Sequence, residues 1–159
     1  MLAITYQLFA ILCGWLEAVL YARRGAEAFT GNEHTGMMLQ RIAAWLLVPV
    51  SLLAQHWIGE WALVEIVPAG LLFPLFHDEA YNFTRLWIDK RAQLNTGLGI
   101  LAPEATRDKL AWHQAWAAYA YGYQSPTTTA RNDFNGTQRT WLALGGLLVL
   151  IAGYWLLLK

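Results

Sequence analysis

Residues 141–158 form a run of 18 residues without a single charge, followed by Lys159. At the helical rise, such a run crosses most of a hydrocarbon core about 30 Å thick. A second run, residues 2–21, carries one charge, Glu17. The chain has 159 residues, the length of one domain, and two such runs are too many for one soluble interior. Charged residues make up only 14% of it, against about 25% in soluble domains. The chain therefore reads as a membrane protein. Its net charge of zero leaves no basic excess to hold nucleic acid, which is excluded as a bulk partner.

No basic residue precedes the first run, and Arg23 and Arg24 follow it, so it reads as a retained anchor rather than a cleaved signal peptide. Its Cys13 is the chain's single cysteine and acts as a small hydrophobe. Residues 42–76 are too long for one crossing and are interrupted by Gly59-Glu60. They read as a hairpin of two short spans, 42–58 and 61–76, bent by Pro49, Pro68 and Pro74. A re-entrant hairpin is the alternative. The expected fold is all-α, an integral membrane bundle of about four spans (2–22, 42–58, 61–76 and 141–158) in a single membrane domain.

Charge sets the orientation. Arg23, Arg24 and Arg41 lie between spans one and two. Arg85, Lys90, Arg91, Arg107, Lys109, Arg131 and Arg139 lie in segment 77–140, and only Lys159 lies beyond span four. Basic residues are retained on the cytoplasmic side. The expectation is an inner-membrane protein with both termini outside and segment 77–140 in the cytoplasm. In that segment, residues 79–91 continue span three as a helix, and residues 95–103 form a loop around Gly97 and Gly99. Residues 104–123 form an amphipathic helix ended by Ser125-Pro126. Trp112, Trp116, Tyr119 and Tyr123 fall on one face of it, placed against the membrane or the bundle.

Helices associate in lipid through close approach and polar links, because apolar burial gives no preference there. Ala10, Gly14 and Ala18 form a small-residue groove on span one. Gly146 and Gly153, with Gly145 and Ala152 beside them, offer a similar face on span four. These faces serve either packing within the chain or contact with another subunit.

Glu17 shares a face with Ala10 and Gly14, one turn from the inner boundary. A charge at the bilayer centre costs about 2.5–3.5 kcal/mol on insertion scales, and less near its edge. Glu17 is either an ion- or proton-binding carboxylate or half of a structural pair, with His77 and Arg85 as its expected partners on a neighbouring span. Where span three leaves the membrane, His77, Asp78, Glu79 and Arg85 form the densest polar group. An imidazole, carboxylates and a guanidinium there can bind a phosphate head group, bind a metal or relay protons, or they can simply form ion pairs at a helix exit. Glu27, Glu33, His34, Arg41 and His113 map to the same boundary as secondary candidates, whereas His56, Glu60 and Glu65 map to the outer side. No HExxH, HxxxH or CxxC spacing names a metal or cofactor. Asn82-Phe83-Thr84 and Asn135-Gly136-Thr137 match the glycosylation pattern but fall on the cytoplasmic side.

Phe76-His77-Asp78, followed by Tyr81 and Arg85, together with the Ser/Thr-rich connector before span four, resembles small, uncharacterised polytopic membrane proteins of bacteria and phages. The resemblance implies a membrane bundle and no particular chemistry. The first expected function is association, as a homo-oligomer or accessory subunit of a membrane complex, with or without a transport path. Its partners are bilayer lipid and a second copy or another membrane protein. The alternative is a boundary enzyme acting on a lipid head group or amphiphile through the His/Asp/Glu/Arg cluster. Proton or ion transport through Glu17 is a third reading and requires a polar path to the outer side.

Overall fold

The computed structural model describes residues 2–24, 38, 41–42, 45–46, 60–96, 103–124 and 134–159. Among these, the chain is all-α. Helix α1 is Leu2–Arg24, α2 is Glu60–Thr96, α3 is Glu104–Ala118 and α4 is Gly136–Leu157. Two of the four, α1 and α4, are long and apolar enough to cross a membrane.

The central element is α2, with α1, α3 and α4 all packed against it. Its 37 residues extend about 55 Å at the helical rise, well beyond the bilayer core. The expected third span and its expected helical continuation are thus one rod, running through Pro68 and Pro74 without interruption and on to Thr96. The helix therefore includes Asn95 and Thr96, which the sequence places in a loop; the Thr96 hydroxyl bonds back to the Gln93 carbonyl at 3.1 Å.

Contacts along α2 give the direction of its neighbours. The Ala3 amide donates to Glu65, Gln7 to the Ala69 carbonyl, Glu17 lies at His77 and Tyr21 lies beneath Arg85. Numbers rise together, so α1 and α2 are parallel. On the other side, Gly153 meets Val64, Gly146 meets Pro68 and Leu72, and Arg139 meets Asp78, so α4 is antiparallel to α2. Arg41 reaches Glu17 and Phe73, whereas Trp45 donates to the Ile66 carbonyl and faces Gly70. That segment therefore also runs antiparallel to α2. The rest of the expected second span, 42–58, lies outside the described residues, as do Pro49, Glu27, Glu33, His34 and His56.

Small residues explain the close approach. Ala10 and Ala18 are fully buried, and a Cβ on Gly14 would overlap the His77 carbonyl oxygen. A Cβ on Gly153 would strike Val64, and one on Gly146 would crowd Leu71. Gly145 faces open space. Both stripes are thus used within the chain. A core of Ala3, Tyr6 and Ala69, flanked by Phe9, Phe73 and Leu150, closes one end of the interface.

Two helix ends depart from the expectation. α3 stops at Ala118, five residues short, because Tyr119 turns to extended backbone at φ −76°, ψ 130°. Gly122 then takes a positive φ of 77°, a conformation that costs glycine little. Even so, Trp112, Trp116 and Tyr119 all meet the Phe83 ring edge-on, at centroid distances of 4.9, 5.6 and 5.4 Å. The expected aromatic face therefore lies against α2. α4 begins at Gly136, earlier than the apolar run, because Asn135 and Gln138 form a reciprocal capping box. Asn135 of the glycosylation pattern is thus a helix cap, and Asn82 is fully buried.

Candidate functional site

A buried polar network lies where α1, α2 and α4 meet. Glu17 comes from the last turns of α1, and its carboxylate pairs with Arg41 through one oxygen. Its other oxygen is 3.1 Å from His77 Nε2. The opposite ring nitrogen, Nδ1, is 2.7 Å from Asp78 Oδ1. Asp78 Oδ2 is 3.3 Å from Arg139 Nη1, which is 3.8 Å from Glu79 Oε1. Finally, the Tyr119 hydroxyl donates to the Glu79 carboxylate. Three helices and two connecting segments thus converge on one set of linked charges.

Burial gives the network its energetic weight. Arg139 is 1% exposed and Glu17 and His77 are 7% exposed. Breaking one member of such a group leaves an uncompensated charge, at a cost of about 3–5 kcal/mol for a buried pair. A neutral imidazole donates from only one nitrogen, and the imidazolium from both. With a carboxylate oxygen 2.7 Å from Nδ1 and another 3.1 Å from Nε2, the ring lies between two anionic groups. Phe73 stacks on it with centroids 5.5 Å apart and planes 16° apart. Tyr119 feels a related environment: burial first, then its bond to Glu79, push its hydroxyl pKa above the usual tyrosine value.

Of the residues singled out in the sequence, the structure brings Glu17, Arg41, His77, Asp78 and Glu79 together. Arg41 stands at Glu17 in the position expected for Arg85. Arg85 lies instead over the Tyr21 ring at 5.2 Å and 3.7 Å from Asp89. It is eight residues past His77, two turns farther along α2, and its side chain meets α1 at Tyr21, four residues beyond Glu17. His113 is exposed on the far side of α3. Sequence reasoning missed Arg139 and Tyr119 as members. For Arg139 a signal was present: the Asn135-x-x-Gln138 box starts α4 early and puts Arg139 on the face of Ala143, Gly146 and Gly153. For Tyr119 none was, since its role depends on leaving the helix.

A second, smaller polar station lies at the other end. Glu65 accepts from the Ala3 amide at 2.9 Å and from the Tyr154 hydroxyl. It is twelve residues, or about 18 Å, from His77 along α2. Between them the α1–α2 interface holds Gln7, bonded to the Ala3 and Ala69 carbonyls, then the tight Ala10 and Gly14 contacts. The two polar stations are thus separated along α1–α2 by close-packed small residues. Among the described residues no cluster of His, Cys, Asp and Glu has metal-binding geometry. No protein-family model, curated protein or solved structure matches the chain.

Proposed function

We propose that the chain is a four-span inner-membrane protein, with both termini outside, that binds the head group of an amphiphile at the cytoplasmic boundary and moves a proton there through His77. The helix directions support the topology. Residue 24 and residue 60 lie at opposite ends of the bundle, and the 35 residues between them have the length to cross back. The observation that carries the function is His77 itself, held between carboxylates of two helices, with Arg41 and Arg139 at the flanks. An imidazole fixed this way at a membrane boundary suits a polar substrate on an apolar anchor. The test is the head-group profile of membranes from cells expressing the protein at matched levels. Wild type shifts one head-group class, and Glu17→Gln or His77→Gln abolishes the shift while the protein remains folded. Identical profiles for wild type and empty vector overturn the reading.

One observation favours association as a second reading. α4 packs on α2 by one face only, leaving Trp141, Leu144, Leu148, Ile151 and Trp155 exposed. That face meets either lipid or another subunit. Disulfide trapping with Leu148→Cys separates the two, since a subunit contact there gives a covalent dimer.

A further inference from the structure

Only 11% of the apolar stretch of α4 is buried. Its contacts with α2 use Gly146 and Gly153. Trp141, Leu144, Leu148, Ile151 and Trp155, stepped by three and four residues, form a second face, and every one of them is exposed. In lipid a second helix comes close only along small residues. On the free side Gly145 and Ala152 are seven residues apart, and the turn between them carries Leu148 and Val149. No continuous strip there admits another backbone.

Charge and aromatic rings frame this face. Arg139 and Lys159 are 20 residues apart with no charge between them, about 30 Å at the helical rise and the thickness of a hydrocarbon core. At one end the Lys159 ammonium lies 3.5 Å from the centre of the Trp155 ring. At the other, Trp141 is 69% exposed, and the neighbouring Thr140 hydroxyl lies 2.6 Å from that of Tyr121, which is also exposed. Indole and phenol rings settle at head-group depth, where an apolar body and a polar tip are both satisfied.

Helix α3 meets the same level end-on. The Tyr119 hydroxyl reaches Glu79 and Arg139 lies at Asp78, so residues 119–121, 139–141 and 78–79 stand at one height. At the start of α3, Glu104 and Asp108 both pair with Arg91, at 2.8 and 2.6 Å. The helix thus runs antiparallel to α2, and its first turns lie farthest from that height. Trp116, three residues before Tyr119, is 68% exposed. Leu110 lies nine residues before Tyr119, about 13 Å farther out.

We infer that the free face of α4 is covered by acyl chains rather than by a second copy, that Trp116, Tyr121 and Trp141 form an aromatic belt in the head-group layer at the His77 end, and that α3 stands along α2 out of the membrane instead of lying on it. The inference rests on the membrane reading above and not on the proposed chemistry.

The full-length protein, with Cys13→Ala, is spin-labelled at Leu148→Cys, Ala117→Cys or Leu110→Cys and reconstituted in vesicles of equal phosphatidylglycerol and phosphatidylcholine. Collisions with oxygen, which concentrates among acyl chains, and with a water-soluble nickel chelate report the depth of each label. The oxygen-to-nickel ratio is highest at position 148, intermediate at 117 and lowest at 110, and dilution with unlabelled protein leaves the spectrum at 148 unchanged. A label at 148 shielded from both reagents, with broadening that dilution removes, assigns the face to a second copy and overturns the inference while the membrane reading stands. A label at 110 as deep as that at 117 lays α3 on the membrane and overturns it as well. Because labels can disturb packing, unlabelled protein is also placed in vesicles brominated near the head group or at the chain ends. Trp141→Phe and Trp155→Phe each reduce fluorescence quenching by the shallow bromine and leave quenching by the deep bromine unchanged; the reverse pattern counts against the belt. If position 148 is as open to nickel as position 110, the chain does not cross the bilayer, and the membrane reading falls together with the inference. If the depths follow the expected order while the head-group profile is flat, the lipid-facing surface stands and the proposed chemistry falls.

Discussion

Arg139 is the most deeply buried charge described, and its position between Asp78 and Glu79 makes it the residue with most to lose. Arg139→Ala leaves two carboxylates facing each other without a cation. Destabilisation of about 3–5 kcal/mol is expected, measured by unfolding in mixed micelles, with Arg139→Lys recovering only part because ammonium lacks the planar fork. Glu17 and Arg41 form a separable pair: in a double-mutant cycle, Glu17→Gln and Arg41→Gln together cost less than the sum of the single changes. Strict additivity would show that the pair contributes nothing. Tyr119 supplies a pH dependence. Its hydroxyl stays protonated in the folded chain to higher pH than in the unfolded chain. The resulting stability is complete below the ordinary tyrosine pKa of about 10 and is lost as pH rises from there through the folded value. Tyr119→Phe should therefore flatten the alkaline limb of the stability–pH curve, and an unchanged limb would assign it to other groups.

Helix against helix, the glycines predict a pattern of tolerance that composition alone does not. Gly14→Ala forces α1 from α2 by placing a methyl on the His77 carbonyl, and Gly153→Ala drives into Val64. Overpacking of this kind costs about 1–3 kcal/mol. Gly145 borders open space, so Gly145→Ala costs nothing in packing and gains helix propensity. Thermal stability of the three variants in detergent checks this, and equal losses at all three positions would deny a specific fit. Helix α3 depends on a different part of α2. Phe83 holds Trp112, Trp116 and Tyr119 at once, and aromatic pairs contribute about 0.5–1.5 kcal/mol each beyond area burial. Phe83→Ala should release α3 and speed amide exchange across Glu104–Ala118 while α1 and α4 keep their protection.

At the scale of the whole molecule, the proposed topology has a direct test. Cysteines at Gly59 and after Lys159 label from outside intact cells, and cysteines at Gly31 and Ser125 do not; outside labelling at Gly31 reverses the bundle and moves the proposed site to the other face of the membrane. Much of this architecture was legible in the residues. Two charge-free or nearly charge-free runs specify apolar helices because neither water nor backbone tolerates the alternatives in lipid. The stripe Ala10, Gly14, Ala18 marks a close contact because only small side chains let two backbones approach. The local crowding of His77, Asp78 and Glu79 marked one half of the site. What these signals lacked was the partner of each surface. Whether the small stripes met the chain's own α2 or a second copy depended on helix directions that no local pattern encodes. Arg41 rather than Arg85 reached Glu17 because the choice lies in the offset between α1 and α2, and a helix advances only 1.5 Å per residue. Arg139 and Tyr119 joined the network from positions 60 and 40 residues away, one carried by a capping box that begins α4 early and the other by leaving its helix. The sequence by itself determined which segments are apolar helices, because periodicity and capping are properties of neighbouring residues. Tertiary structure alone decided which charges share one buried site, because that depends on register between helices distant in the chain.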